Sequence, residues 1–148
     1  MKQLSVIIPT FNEEAYIEKA IRSVSFADEI IVVDSYSSDK TVQIAKQFNC
    51  TVVQRKFDNF SNQKNYALQF VSGEWILFVD ADERITYALK QEILDTISNP
   101  KHAGYKLKFP HFYMNRFLYH HYDSVLRLVK RANCKFEGLV HEKLIIDG

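Results

Sequence analysis

The sequence predicts an α/β fold, a three-layer α/β/α arrangement with a mostly parallel sheet between helices. Three observations carry that expectation. Continuous apolar runs such as Glu29-Ile30-Ile31-Val32-Val33-Asp34 and Trp75-Ile76-Leu77-Phe78-Val79 read as strands buried on both faces, the pattern of parallel sheets. Segments with apolar residues three and four apart lie between these runs, as right-handed helical crossovers require. At 148 residues and 47% hydrophobic content, the chain can bury one substantial core, so one domain over residues 1–148 is expected.

Leu4 to Ile8 reads as the first strand, stopped by Pro9, and Thr10 or Asn12 can cap a helix that carries Ile17, Ala20, Ile21 and Val24 on one face. Glu29 to Asp34 is the second strand. Ser37 or Ser38 can cap the next helix, whose Val42, Ile44, Ala45 and Phe48 form an apolar face, and Cys50 to Val53 is a short β-branched strand. Ser61 opens a helix carrying Lys64, Ala67, Leu68 and Val71, Gly73 closes it, and Trp75 to Val79 is the fourth strand. Thr86 caps a helix in which Leu89, Ile93 and Ile97 repeat every four residues up to Asn99-Pro100. Beyond Pro100 the period changes: Tyr105, Leu107 and Phe109 alternate with Gly104, Lys106 and Lys108, and Val125 to Val129 is a further strand.

Charge is unevenly distributed. Residues 1–100 hold 10 Lys+Arg against 14 Asp+Glu, and residues 101–148 hold 9 against 4, together with all five histidines. A basic, aromatic second part suits an anionic acceptor or peripheral membrane contact as well as it suits an ordinary solvated face, and its Phe112, Tyr113, Phe117, Tyr119 and Tyr122 suit a buried aromatic cluster at least as well. Nucleic acid is not expected as a partner. Cys50 and Cys134 have neither zinc-ligand nor disulfide-framework spacing. The apolar run at the N-terminus is too short for a signal-peptide core or a membrane span, so a cytoplasmic location, at most at the cytoplasmic face of an inner membrane, is the expectation.

Chemistry concentrates in the turns after three strands. Asp80-Ala81-Asp82-Glu83 follows the fourth strand directly, and two carboxylates one residue apart suit a hard divalent cation, magnesium or manganese. Thr10, Asn12 and Glu13 follow the first strand; Asp34, Ser35 and Ser37 follow the second. All three turns should share one sheet edge, offering directed hydrogen-bonding groups to a base and ribose, and Lys64 can add a cation. The chain has only four glycines, none after the first strand, which excludes a Rossmann dinucleotide site or a P-loop and disfavours a sugar nucleotidyltransferase.

These residues carry a resemblance. Pro9-Thr10-Phe11-Asn12-Glu13-Glu14, then Ile31 to Thr41 with Asp34-Ser35-Tyr36-Ser37-Ser38-Asp39, then Lys64-Asn65-Tyr66-Ala67, then Asp80-Ala81-Asp82-Glu83, resemble the ordered motifs of family 2 glycosyltransferases with the GT-A fold. Leu126-Arg127-Leu128 and Val140-His141-Glu142 are similar to the lipopolysaccharide-core β-1,4-glucosyltransferase-like branch. The resemblance implies an inverting, metal-dependent hexosyltransferase that moves a sugar from a UDP-sugar to a glycan or lipid-linked acceptor in envelope polysaccharide synthesis. It implies that Pro9, Thr10, Asn12, Glu13, Asp34, Ser35, Lys64, Asp80 and Ala81 bind the nucleotide sugar. Asp34 would accept from the uracil imide, and Asp80 would lie near the ribose or base. Asp82, with His141 as a further candidate ligand, would hold the metal. Glu142 is favoured over His141 as the catalytic base, and Arg127 would pair with phosphate or with Glu142.

Glu14 and Glu83 are expected to be solvated, and Asp39 to cap a helix. The family often has glycine where this chain has Tyr36 and Lys40, so a different backbone shape is expected there. Because the family continues past the position of Gly148, the chain is expected to be truncated at its C-terminus. Two rivals stand beside this reading. A haloacid-dehalogenase-like phosphatase also uses Asp-x-Asp, but after its first strand; a non-catalytic sugar-nucleotide or glycan-binding module would share the turns without the chemistry.

Overall fold

The computed structural model describes residues 2–107, 126–137 and 143–146. Its strands are β1 (Leu4–Thr10), β2 (Glu29–Asp34), β3 (Thr51–Gln54), β4 (Trp75–Phe78), β5 (Gly104–Lys106), β6 (Leu126–Lys130), β7 (Cys134–Glu137) and β8 (Lys143–Ile146). The helices are α1 (Ile17–Ser23), α2 (Thr41–Ala45), α3 (Phe60–Leu68) and α4 (Tyr87–Ser98). Six strands form one sheet in the order β3-β2-β1-β4-β6-β5, and β7 and β8 form a separate antiparallel pair. β1 runs parallel to both β2 and β4, and β2 runs parallel to β3, whereas β6 is antiparallel to β4 and to β5.

The side chains of β1 explain the layers. Leu4, Val6 and Ile8 point to one face, where they join Ile17 and Ile21 of α1, Ala45 of α2, and Leu89 and Ile93 of α4. Ile7 points to the other face and packs with Ile31, Val33, Phe78 and Ala67 of α3. Because successive strand residues face opposite sides, an uninterrupted apolar run supplies both cores at once. The predicted α/β/α sandwich with a mostly parallel sheet is therefore the observed one.

Several local expectations change. Neither Thr10 nor Asn12 caps α1: its N-cap position is Tyr16, with no side-chain cap, and its first amides bond to the Glu13 carbonyl. Neither Ser37 nor Ser38 caps α2; the Thr41 amide is bonded by Asp39 Oδ1 at 2.9 Å, as expected of Asp39. α3 begins one residue before Ser61 and is capped by Asn59, whose Oδ1 accepts from the Asn62 amide at 2.8 Å. Thr86 caps α4 as expected, through the Leu89 amide.

Gly73 does not close α3, whose C-cap is Gln69. It is instead where the chain passes closest to β1. Its amide donates to Ser5 Oγ at 2.9 Å, and a Cβ there would lie 2.6 Å from Ser5 Oγ and 2.7 Å from the Ser5 backbone nitrogen. Ser5 in turn donates to Glu29 at 2.7 Å, so the entry points of β1, β2 and β4 share one hydrogen-bond network centred on the buried Ser5.

Candidate functional site

The C-terminal ends of β1, β2 and β4 open onto a cavity of about 470 Å³. Pro9, Thr10, Phe11 and Glu13 form one wall, Ser35 and Gln63 the floor beside β2, and Asp80, Ala81 and Asp82 the opposite wall, with Phe57 and Phe60 completing the lining. This is the edge at which open parallel sheets bind ligands. Seven residues inferred from the sequence thus meet in one place: Pro9, Thr10, Glu13, Ser35, Asp80, Ala81 and Asp82.

Three others do not line it. Asp34 is fully buried, and its carboxylate is occupied within the protein: Oδ1 accepts from Thr10 Oγ1 at 2.7 Å and Ser37 Oγ at 2.6 Å, and Oδ2 accepts from the Ser37 amide at 2.8 Å and Gln54 Nε2 at 3.3 Å. It ties the β1 turn to the β2 turn rather than facing a base, because donors from both turns and from β3 surround it. Asn12 does similar work from outside. Its backbone adopts φ 53°, its amide donates to Ser37 Oγ and its Oδ1 accepts from the Ser38 amide, both at 2.8 Å. Lys64 is buried on α3 with its ammonium 5.8 Å from the centre of the Phe78 ring. Adjacent helix residues point about 100° apart, so it is Gln63 that reaches the cavity.

Sequence reasoning did not single out Gln63. Its Nε2 donates to Ser35 Oγ at 2.8 Å, and its Oε1 accepts from Arg55 at 3.1 Å, so α3 fixes the hydroxyl on the cavity floor. Phe57 and Phe60 were also missed. They meet edge to face at 5.0 Å between centroids and remain 45% and 55% exposed, which gives the cavity an aromatic flank. The signal for them was present in Phe57-Asp58-Asn59-Phe60, two aromatics bracketing a helix cap in an otherwise polar turn.

The loop with Tyr36 in a glycine position keeps a glycine-type backbone, since Tyr36 adopts φ 58°. That conformation costs a tyrosine about 1–2 kcal/mol, and the Asp34–Ser37 hydrogen bonds that span it hold it. Lys40 has an ordinary φ of −87°.

The acidic turn divides in an unexpected way. Asp80 is half exposed at the cavity wall, Asp82 is largely buried there, and Glu83, expected in solvent, is buried almost completely. The Glu83 carboxylate receives both guanidinium nitrogens of Arg127, at 2.8 and 3.1 Å, and also the Asp80 amide at 2.8 Å. Burial and the Asp80 charge push its carboxyl up to about 7, against the downward pull of Arg127. Glu14 is exposed, as expected. His141 and Glu142 lie outside the described residues.

The donors present fit a divalent cation of the hard type. Asp80 and Asp82 place carboxylates on a cavity wall, and magnesium-like ions are usually held by one or two carboxylates plus substrate phosphates rather than by an all-protein cage. Among the described residues there is no group of three or more His, Cys, Asp or Glu able to hold a metal alone. Among the described residues, no helix is long and apolar enough to cross a membrane.

A mostly parallel sheet with hydroxyls and carboxylates gathered at its C-terminal edge is the architecture of GT-A glycosyltransferases. The chain belongs to glycosyl transferase family 2, whose model matches residues 5–145. An uncharacterized glycosyltransferase from Rickettsia bellii is 34% identical over 147 residues, covering 95% of this chain and 50% of that one. The chain spans about half the length of the curated relatives it matches first. Among solved structures, Staphylococcus aureus TarS 1–349 in complex with UDP-GlcNAc is 27% identical, with a TM-score of 0.58 over 72% of this chain and 38% of that chain. Glucosyl-3-phosphoglycerate synthase from Mycobacterium tuberculosis, crystallised with manganese, UDP-glucose and phosphoglyceric acid, is 28% identical, with a TM-score of 0.57 over 68% and 40%.

Proposed function

We propose that this glycosyltransferase uses a nucleotide-diphosphate sugar of the UDP-hexose type and transfers the hexose, with inversion, to a hydroxyl of a glycan or lipid-linked acceptor. The observation that carries this reading is the shared cavity: Thr10, Glu13 and Ser35 offer hydrogen-bonding groups to a nucleoside on one side, and Asp80 and Asp82 offer carboxylate oxygens on the other. UDP-sugars in the TarS and glucosyl-3-phosphoglycerate synthase complexes support the donor class. TarS of Staphylococcus aureus, a poly(ribitol-phosphate) β-N-acetylglucosaminyltransferase by name, supports a hydroxyl-bearing polymer as the acceptor class.

Asp82, with His141, would hold a manganese or magnesium ion, which supplies charge neutralisation for the departing diphosphate when bound. Asp80 would face the ribose or base, and the rings of Phe57 and Phe60 would flank it from the side of α3. Glu142 takes the proton of the acceptor hydroxyl as its oxygen attacks the anomeric carbon and the bond to the diphosphate breaks. His141 is the alternative base.

Calorimetric titration of the chain with UDP-GlcNAc and UDP-glucose, each with and without manganese, tests this. Manganese-dependent binding, lost at least tenfold in Asp82→Ala, is the expected result. Failure of every UDP-sugar to bind in the presence of manganese would refute the donor assignment, and unchanged binding in Asp82→Ala would refute the metal assignment.

A further inference from the structure

We infer that Arg127 and Glu83 act as an internal clamp that positions the acidic turn, so that strand β6, added antiparallel to the sheet, sets how Asp80 and Asp82 face the cavity. The inference rests on the proposed nucleotide- and metal-binding role of that turn.

The geometry is specific. Arg127 lies 44 residues beyond Glu83 in sequence, and β6 brings it alongside β4, with Leu128 opposite Leu77. Its Nη1 donates to Glu83 Oε1 at 2.8 Å and to the Phe78 carbonyl at 3.3 Å, and its Nη2 donates to Glu83 Oε2 at 3.1 Å. Glu83 Oε1 also accepts from the Asp80 amide, while the Glu83 amide donates to the Asp80 carbonyl at 2.9 Å. One guanidinium thus fixes the end of β4, the start of the turn and its fourth residue. The Asp80 carboxylate makes a longer ion pair with Nη2, at 3.9 Å, and stays half exposed at the cavity, so the clamp holds its backbone more closely than its side chain.

Stability alone does not account for such a pair. Both side chains are largely buried, at 12% and 1% exposure, and a buried ion pair loses in desolvation much of what it gains in attraction, so apolar residues of similar volume often stabilise as well or better. What the pair supplies beyond them is orientation. A planar, bidentate fork admits one arrangement of the carboxylate, and groups that orient metal-site ligands from behind typically change metal affinity 10- to 100-fold when removed.

The test uses the full 148-residue chain and two readouts. In the metal-free protein, amide hydrogen exchange followed by NMR should show the Asp80 amide exchanging at least tenfold faster in Arg127→Met, with the Val6 and Ile7 amides of β1 still protected. In calorimetry, manganese-dependent UDP binding should weaken about 10- to 100-fold in the same variant, with partial recovery in Arg127→Lys, which keeps the charge and loses the fork. If Arg127→Met does not fold, Glu83→Gln carries both measurements, since it keeps the shape and removes the charge. A folded variant whose Asp80 protection and UDP affinity both stay within twofold of the parent overturns the clamp. Should the parent itself not bind UDP with manganese, the proposed function fails, and the exchange readout alone decides the clamp.

Discussion

Replacing Asp34 by asparagine separates two uses of one carboxylate. In the fold it accepts four hydrogen bonds, two at each oxygen, from Thr10, Ser37 and Gln54. An asparagine has one acceptor oxygen. If that oxygen keeps the Thr10 and Ser37 hydroxyls, the new amino group meets the Ser37 amide and the Gln54 side-chain amide, donor against donor. Leaving one buried donor unpaired costs about 1–3 kcal/mol, and the retained bonds lose charge assistance, roughly half their strength. A total of about 3 kcal/mol results. With a urea dependence of about 2 kcal/mol per molar for a domain of this size, the unfolding midpoint should fall by about 1.5 M. Trp75, the single tryptophan and buried in β4, reports the transition by fluorescence. A midpoint within 0.2 M of the parent, accompanied by weakened UDP binding, would refute the argument and return Asp34 to direct contact with a base.

Two further outcomes concern the opposite end of the sheet. Gly73→Ala places a methyl against the backbone of Ser5 and Leu4, at 2.7 and 3.0 Å, so β1 and the approach to β4 must shift. A loss of about 1–3 kcal/mol in urea unfolding is expected, and an unchanged midpoint would contradict the close approach. Burial raises the Glu29 carboxyl, but hydrogen bonds from Ser5, Ser72 and Lys2 outweigh it and hold the carboxyl below its ordinary value near 4.5. An acid lowered in the fold contributes stability above its ordinary pKa and loses it as pH falls through the folded value. Melting temperature should therefore drop more steeply below about pH 4.5 in the parent than in Glu29→Gln; parallel curves would show that the network contributes nothing.

Local physics was legible in the residue order. The strands from Leu4, Glu29 and Trp75 announce themselves because a two-faced strand needs an uninterrupted apolar run, and Thr86 announces α4 because its side chain satisfies an amide three residues away. Clustering of Thr10, Glu13, Ser35, Asp80 and Asp82 also followed from sequence, since parallel strands deliver their following turns to one edge. Caps were harder. Asn59 displaced Ser61, and the Glu13 carbonyl displaced Thr10 and Asn12, because Thr10 was already committed to Asp34 and Asn12 to the β2 turn.

Periodicity and short-range bonding dictate the layered fold, the edge that carries the site and the residue types gathered there. Which of those residues face the cavity depends on long-range packing. Asp34 turned inward because donors arrive from β1 and β3, Gln63 replaced Lys64 because the rotation of α3 against the sheet chose between neighbours, and Glu83 left solvent because a guanidinium from β6 reached it. Each outcome depends on a partner 20 or more residues away in the chain, and no local pattern encodes the meeting of two side chains that only the packed sheet brings within hydrogen-bonding distance, 2.7 to 3.3 Å.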